Sequence, residues 1–532
     1  MADDLSLRGV FLENGQKVTA EAHNVTLRVR ISLQGDYAKA PPGAITHWRF
    51  TTLPLSVFRL TRTRWFSMLA QTHNREAAMQ TITEPARQIP VVHQTDVLVV
   101  GSGPAGLSAA LAAARAGAEV SLMDRFGCMG GNITAVGVEG FAWYRHEQTV
   151  EAGGIGLEFE TRAKEMGAAV PESQSLSYEL DSEGFKLVAD KLVEEAGVHP
   201  MLHRQFVAPI MDGDRITGVI TESKAGREAI LAKVVIDATG DADVAHRAGA
   251  PTHKTPREDM MAASVMFHLA GVDKRAFIEG VKADPQTYKD WGGGGEWNIE
   301  TSGKEDDMFS PFVKKPFQQA IDEGLIPAHL NTIAGTWGAM HDTGELTYMN
   351  LIHMDQIDGT DPDSLTFGEI EGRRQAMLAI DALRRFMPGC ENARLRNFGM
   401  TIGIRDTRKI DAVYNMTETD ARHQGRFEDS IGIYPEFIDG YGILILPTTG
   451  RYMQIPYRSM LPKGIKGLLV AGRSHGADRV AHAATRNMSC CAVMGQGAGI
   501  AAALSLKSNQ ELDSMNLAPV HQELERQGVR TT

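Results

Sequence analysis

Asp96-Val-Leu-Val-Val-Gly-Ser-Gly-Pro-Ala-Gly106 is a short apolar run that ends in a glycine turn. An apolar run of this kind suits a strand buried on both faces of a parallel sheet. The turn has the spacing Gly101-x-Gly103-x-x-Gly106. Its first glycine permits the tight turn, its second lets the backbone approach a pyrophosphate, and its third lets the next helix pack on the strand. Residues 105–118, rich in alanine and closed by Gly117, read as that helix, and residues 119–124 as the next strand. A phosphate at the helix N-terminus meets unpaired N–H groups and the positive end of the helix dipole. Asp124 follows Gly101 by 23 residues and ends the second strand, the place for a carboxylate that binds a ribose diol. Together these features predict a βαβ dinucleotide unit, with Pro104, Ala105 and Arg125 beside the phosphate and ribose positions.

A second glycine turn follows, Phe126-Gly-Cys-Met-Gly-Gly-Asn-Ile-Thr134. A simple nicotinamide dehydrogenase has no evident use for it. A flavin dinucleotide does, because its ribityl chain and ring must run along a close backbone past Gly130, Gly131 and Asn132. Four further segments follow in order: Val235-Ile-Asp-Ala-Thr-Gly-Asp-Ala-Asp-Val-Ala245, Gly403-Ile-Arg-Asp-Thr-Arg-Lys-Ile410, Ile455-Pro-Tyr-Arg458 and Gly467-Leu-Leu-Val-Ala-Gly-Arg473, with residues 486–499 closing the series. With these motifs the chain resembles the FAD-dependent oxidoreductases of the glutathione-reductase-like flavoproteins, related to succinate dehydrogenase and fumarate reductase flavoproteins. The resemblance covers roughly residues 83–505. It implies an α/β fold: a Rossmann-like FAD-binding domain of the glutathione-reductase type, a parallel sheet with a β-meander, plus an inserted α+β substrate or cap domain. It places Val207, Thr239, Gly240, Asp241, Gly472 and Gly495 at the FAD. Relatives with covalent flavin use a His near the second turn. None stands in this turn, so non-covalent FAD is expected. Arg473 occupies a position where many relatives have an acid for the ribityl hydroxyls, and Asp478 is the substitute candidate.

The resulting domain plan is 1–78, an N-terminal extension of uncertain structure; 79–260, the first part of the FAD-binding domain; 261–440, the substrate or cap domain; 441–510, the closing part; and 511–532, a C-terminal tail. The first 78 residues hold ten Lys/Arg against six Asp/Glu, whereas the whole chain of 532 residues carries a net charge of -12. Met79 reads as the natural start, and the alternative for the upstream part is a small accessory β segment. An overall acidic balance argues against a nucleic-acid binder. No apolar run reaches the roughly 18 residues of a membrane span. Cys128, Cys390, Cys490 and Cys491 show no metal-ligand spacing, so no metal and a reduced, cytoplasmic setting are expected.

His475, His482 and Arg486 are the catalytic candidates, since the resemblance brings their segment near the flavin ring and a histidine can move a proton near neutral pH. Arg405, Arg458, Arg479 and Arg486 can orient an anionic substrate or pair with Asp406, Asp439 or Asp478. His341 and His353 read as incidental polar residues. Trp291, Trp297 and Trp337 can line a cavity or simply pack. The expected activity is hydride transfer between flavin N5 and a small organic molecule. The alternatives are a flavin monooxygenase using external NAD(P)H and O2, or a flavoprotein electron-transfer subunit. The external electron donor or acceptor is not specified by the sequence, and a homo-oligomer is compatible with it.

Overall fold

The computed structural model describes residues 81–532, apart from 142–144, 147–149, 172–176, 287–297, 301–311 and 448–449, together with the strands Val10–Phe11, Lys17–His23 and Thr26–Ile31. Trp291, Trp297 and Met79 lie outside the described residues. The chain divides into two units, 1–86 and 87–532. In the first, the three strands form an antiparallel sheet in chain order, so the extension contains a hairpin where the sequence shows no clear hairpin signature.

The second unit is a mixed α/β structure built on one seven-stranded sheet. Its strands are β1 (Val91–Val100), β2 (Val120–Met123), β3 (His199–Met201), β4 (Gln205–Asp212), β5 (Arg215–Ser223), β6 (Gly226–Asp237) and β7 (Leu468–Val470). Strands β3, β2, β1, β6 and β7 run parallel in that order. Strands β4 and β5 form an antiparallel meander with the first half of β6. Strand β6 is long enough to serve two parts of the sheet. Residues 226–231 pair with the meander and residues 229–237 with β1 in the parallel sheet.

Helix α1 (Pro104–Arg115) follows β1, with Pro104 at its first turn, where a missing N–H costs no hydrogen bond. Further along are α2 (Pro362–Phe386), α3 (Arg479–Thr485), α4 (Met488–Ser508) and α5 (Ala518–Arg526). Helix α4 has the length and apolarity to cross a bilayer, but most of its residues are buried inside the protein. It lies along α1 through small residues spaced one turn apart. A Cβ at Gly495 would stand 2.0 Å from the Ala105 carbonyl oxygen, and one at Gly499 would stand 2.1 Å from that of Ala109. Gly495 therefore serves helix packing, and its assignment to the FAD is corrected accordingly. Gly499→Ala is expected to lower stability by about 1–3 kcal/mol, the scale of overpacking a tight core. Urea unfolding of the two proteins measures this, and an unchanged midpoint would contradict the packing argument.

A second hydrophobic core lies within residues 263–402, around the antiparallel strands Ala263–Ala270 and Leu346–Met354 and helix α2. Residues 431–440, expected at the end of the substrate domain, contribute Ile431, Tyr434 and Phe437 to the first core. Residues 511–532, expected as a C-terminal tail, pack onto the first core. Leu512, Val520, Leu524 and Val529 are buried in that core, and the Arg530 carbonyl accepts from the Ile433 amide.

Candidate active site

The C-terminal ends of β1, β2 and β6 open onto a cavity of about 1040 Å³. Gly101, Ser102, Gly103, Pro104, Ala105, Asp124, Arg125, Gly131, Asn132, Thr239, Gly240, Asp241, Gly472, Arg473 and Arg486 all line it, so much of the sequence-based selection converges on one space. Gly101 has φ +99°, and a Cβ there would come within 2.4 Å of the Ala238 oxygen. Gly106 is packed still more tightly, because a Cβ would meet the Gly101 oxygen at 1.8 Å. Gly131, with φ +52°, would place a Cβ 2.5 Å from the Gly103 Cα, so the two glycine turns touch. Gly130 sits behind them and donates its N–H to the Ser102 carbonyl at 2.9 Å. At Gly103, by contrast, a Cβ would find nothing nearer than the Gly131 Cα at 4.0 Å. This position leaves open room at the mouth of the cradle.

Asp124 is fixed before any ligand is considered. Its Oδ2 accepts from the Ser102 amide at 2.7 Å and hydroxyl at 2.6 Å, and its Oδ1 accepts from the Phe126 amide at 2.9 Å. The carboxylate is thereby aimed while retaining acceptor capacity on Oδ1. No side chain caps α1, whose N-cap is Gly103, so its leading N–H groups face the cradle. Helix α4 also begins at the cavity, through Asn487, Met488 and Ser489, again without a side-chain cap. The Asn487 amide nitrogen instead donates to the Ala484 carbonyl at 2.7 Å. Two buried helices thus direct uncapped N-termini into one cavity, and this arrangement favours negative charge at both places.

Other expected residues fall outside the lining. His475 is fully buried, with Nδ1 3.1 Å from the Ser459 hydroxyl and Nε2 2.7 Å from that of Thr485. Burial, with Lys409 nearby, pulls its pKa down to about 3. His482 is buried on α3 and donates from Nε2 to the Arg405 carbonyl at 3.0 Å; burial and Lys409 hold its pKa well below the usual value. Neither imidazole reaches the cavity, so both catalytic assignments are corrected to structural ones. Asp478 caps α3 by accepting from the Ala481 amide at 2.9 Å, and it also takes the Glu418 amide at 2.7 Å, so it is no substitute for a ribityl contact. At Val207 the lining has already ended: Arg204, Gln205 and Phe206 face the cavity, while the Val207 carbonyl accepts from Arg247. Arg458 pairs with Asp429, and Trp337 packs edge-on against Phe277 at 5.2 Å.

Arg473 pairs with Asp241 at 2.5 Å and donates to the Ile404 carbonyl at 2.6 Å. Arg486 donates to Asp439 through both the main-chain oxygen, at 2.6 Å, and the carboxylate, at 3.1 Å. Arg405 differs. Its guanidinium donates to the Ala262 carbonyl and the Ser264 hydroxyl, each at 2.6 Å, and to the Asn350 side-chain oxygen at 3.2 Å. Burial, aided by Arg486, lowers its pKa to about 10. His353 also lines the cavity, with Nδ1 3.5 Å from the Ser264 hydroxyl. Burial and the Arg405 charge pull its pKa down to about 4, which leaves a neutral imidazole at physiological pH. His353, read from the sequence as an incidental polar residue, and Ser264 and Asn350, which carry no motif, come together only through strand pairing across long stretches of chain.

Touching glycine turns, a carboxylate fixed at the end of β2 and two anion-favouring helix ends thus meet in one cavity. The chain belongs to the FAD dependent oxidoreductase family, whose model matches residues 96–524. Among curated relatives, a digeranylgeranylglycerophospholipid reductase of Methanopyrus kandleri is 30% identical over 187 residues, covering 34% of this chain and 45% of the relative. A thiamine thiazole synthase of Metallosphaera sedula is 30% identical over 161 residues, covering 28% and 55% respectively. The chain spans about half the length of the curated relatives it matches. A solved geranylgeranyl bacteriochlorophyll reductase-like protein of Thermoplasma acidophilum shares 14% identity at a TM-score of 0.42, with 82% of each chain covered.

Proposed function

We propose that the chain holds FAD non-covalently in a glutathione-reductase-type arrangement and oxidises or reduces a small organic molecule at the far end of the same cavity. The observation that carries this reading is the pair of uncapped helix N-termini, of α1 and α4, facing one cavity. The cradle of Gly101, Gly103 and Gly131 leaves room for the pyrophosphate, and Asp124 presents an acceptor to a ribose. The parallel order β3-β2-β1-β6-β7, with its meander, supports the arrangement. The core around residues 263–402 supports a cap that closes over the substrate end. When bound, FAD supplies hydride acceptance or donation at N5.

The protein's own groups have separable tasks. The N-terminus of α4 favours negative charge near the redox centre. Arg405 orients the substrate, and Ser264 and Asn350 orient Arg405. His353 presents a neutral ring nitrogen to the cavity and takes the place first assigned to His475 and His482. Electrons pass to or from an external partner.

The visible absorption of the purified protein, before and after denaturation and centrifugation, tests the cofactor claim. Flavin bands with all pigment released as FAD are expected. Pigment that stays with the polypeptide would overturn non-covalent binding, and a colourless protein that takes up no FAD would overturn the reading as a whole. Anaerobic bleaching by candidate substrates tests the redox claim.

A further inference from the structure

We infer that the substrate end of the cavity is built for a monoanion of carboxylate type carried on an apolar body. This deepens the reading above and rests on it for the cofactor. Arg125 and Arg204 line the cavity beside the end of β2, Arg125 over the Phe126 ring and Arg204 paired with Glu228. Arg473 and Arg486 each have a carboxylate, from Asp241 and Asp439. Arg405 lines the same cavity, yet among the described residues no carboxylate lies within 4 Å of it, and its three acceptors are all neutral. A guanidinium in a water-poor wall is stabilised by an anion, and its planar fork suits a carboxylate.

The charge balance favours one anionic group over two. Arg405 and Arg486 bring two positive charges and Asp439 one negative, while His353 is neutral at physiological pH. Tyr441 is also neutral, because its hydroxyl donates to Asp406, and the charge of Asp406 is matched by Lys409 behind the wall. Asp355 also lines the cavity, but it is exposed, so water screens its negative charge from Arg405. One uncompensated cation remains. A second carboxylate would find Asp439 rather than a vacant partner.

Beside the neutral polar groups of Asn331, Thr332 and Thr336, that end also carries the apolar side chains Met261, Met266, Leu365, Met400 and Ile402. These side chains favour a ligand with a hydrocarbon body over a compact polar one. The cofactor's own phosphates are a poor account of Arg405. They have the α1 N-terminus and the glycine cradle, whereas Arg405 is held by residues 262, 264 and 350. His482 also fixes the Arg405 main chain from behind. The guanidinium is therefore held in place for a ligand.

The test is calorimetric titration of the flavin-loaded protein with octanoate, butyrate, succinate and octanamide, with flavin content recorded on the same samples. Octanoate is expected to bind one to one, more tightly than butyrate and succinate, and octanamide to bind about tenfold more weakly than octanoate or worse, as befits loss of a charged hydrogen bond. Arg405→Met should weaken octanoate by about tenfold or more while flavin is retained, and Arg405→Lys should fall between. Ser264→Ala removes only one anchor of the guanidinium and should weaken octanoate by a smaller factor. Unchanged octanoate binding in flavin-replete Arg405→Met would overturn the anion site. Succinate binding more tightly than octanoate would overturn the monoanion. A wild-type protein that takes up no flavin would instead overturn the cofactor reading, and octanoate binding to that protein would still report on Arg405.

Discussion

Gly103→Val is expected to lower FAD affinity by about 100-fold or more, close to 2.8 kcal/mol at about 1.4 kcal/mol per factor of ten, with little change in the stability of the apoprotein. The separation of the two effects follows from where this glycine stands. Its φ of -65° is one that any residue adopts, and a Cβ there would meet no atom of the protein closer than 4.0 Å. It lines the cavity at the N-cap of α1, so an isopropyl group occupies the path of a pyrophosphate approaching the helix N–H groups. Gly101 and Gly131 do not allow this separation, since both have positive φ and both would drive a Cβ into backbone atoms. Substitutions there disturb the turn as well as the ligand. Titration of the apoprotein with FAD, alongside thermal unfolding, measures both quantities. Wild-type affinity in Gly103→Val would mean that the dinucleotide does not pass over this turn.

The βαβ unit was legible because its signals are local. A strand, a turn, a helix and an acid occur within about thirty residues, each carrying its own physical constraint. The same locality misled at the other end of the site. Gly495 looked like a close approach to a flavin, but a glycine in a helix records only that something comes near. Here that neighbour is the backbone of α1. The part of α4 that reaches the cavity is its first turn, at Asn487–Ser489, about two turns earlier. His475 and His482 were candidates because the resemblance brings their segment near the flavin ring. Chain proximity does not say which way a side chain faces, and on or beside α3 both face the core. Arg405, Ser264, Asn350 and His353 show the opposite difficulty. Their meeting depends on antiparallel pairing of strands about ninety residues apart and on a loop at 405 crossing over them.

Asp406→Asn is expected to cost about 3–5 kcal/mol of stability, the range for removing one partner of a buried ion pair. Asp406 and Lys409 are each about 1% exposed, and Nζ lies 2.6 Å from Oδ1. Burial alone would raise the Asp406 pKa, but Lys409 and His482 outweigh it and hold the carboxyl below its usual range. The pH dependence of the wild-type protein follows in sign. A depressed carboxylate pKa gives stability that is present above about pH 3.9 and lost as the pH falls below it. The Asp406→Asn variant should behave differently, because Lys409 is left as an uncompensated buried cation whose folded-state pKa drops. Its stability should rise as the pH is raised from neutrality toward about 10, where the unfolded lysine also loses its proton. Adding Lys409→Met removes the stranded charge and should recover most of the loss, since a buried pair is often replaceable by apolar groups. Urea unfolding of the wild type and the two variants across pH makes the comparison. If the double variant is as unstable as Asp406→Asn alone, the cost lies elsewhere. The remaining candidate is then the hydrogen bond from Tyr441, whose φ of +53° holds it against the cavity wall with its hydroxyl 2.5 Å from Asp406. Recovery, in contrast, would locate the role of Asp406 in neutralising Lys409, and would leave Arg405 at the substrate end of the cavity without a carboxylate partner among the described residues.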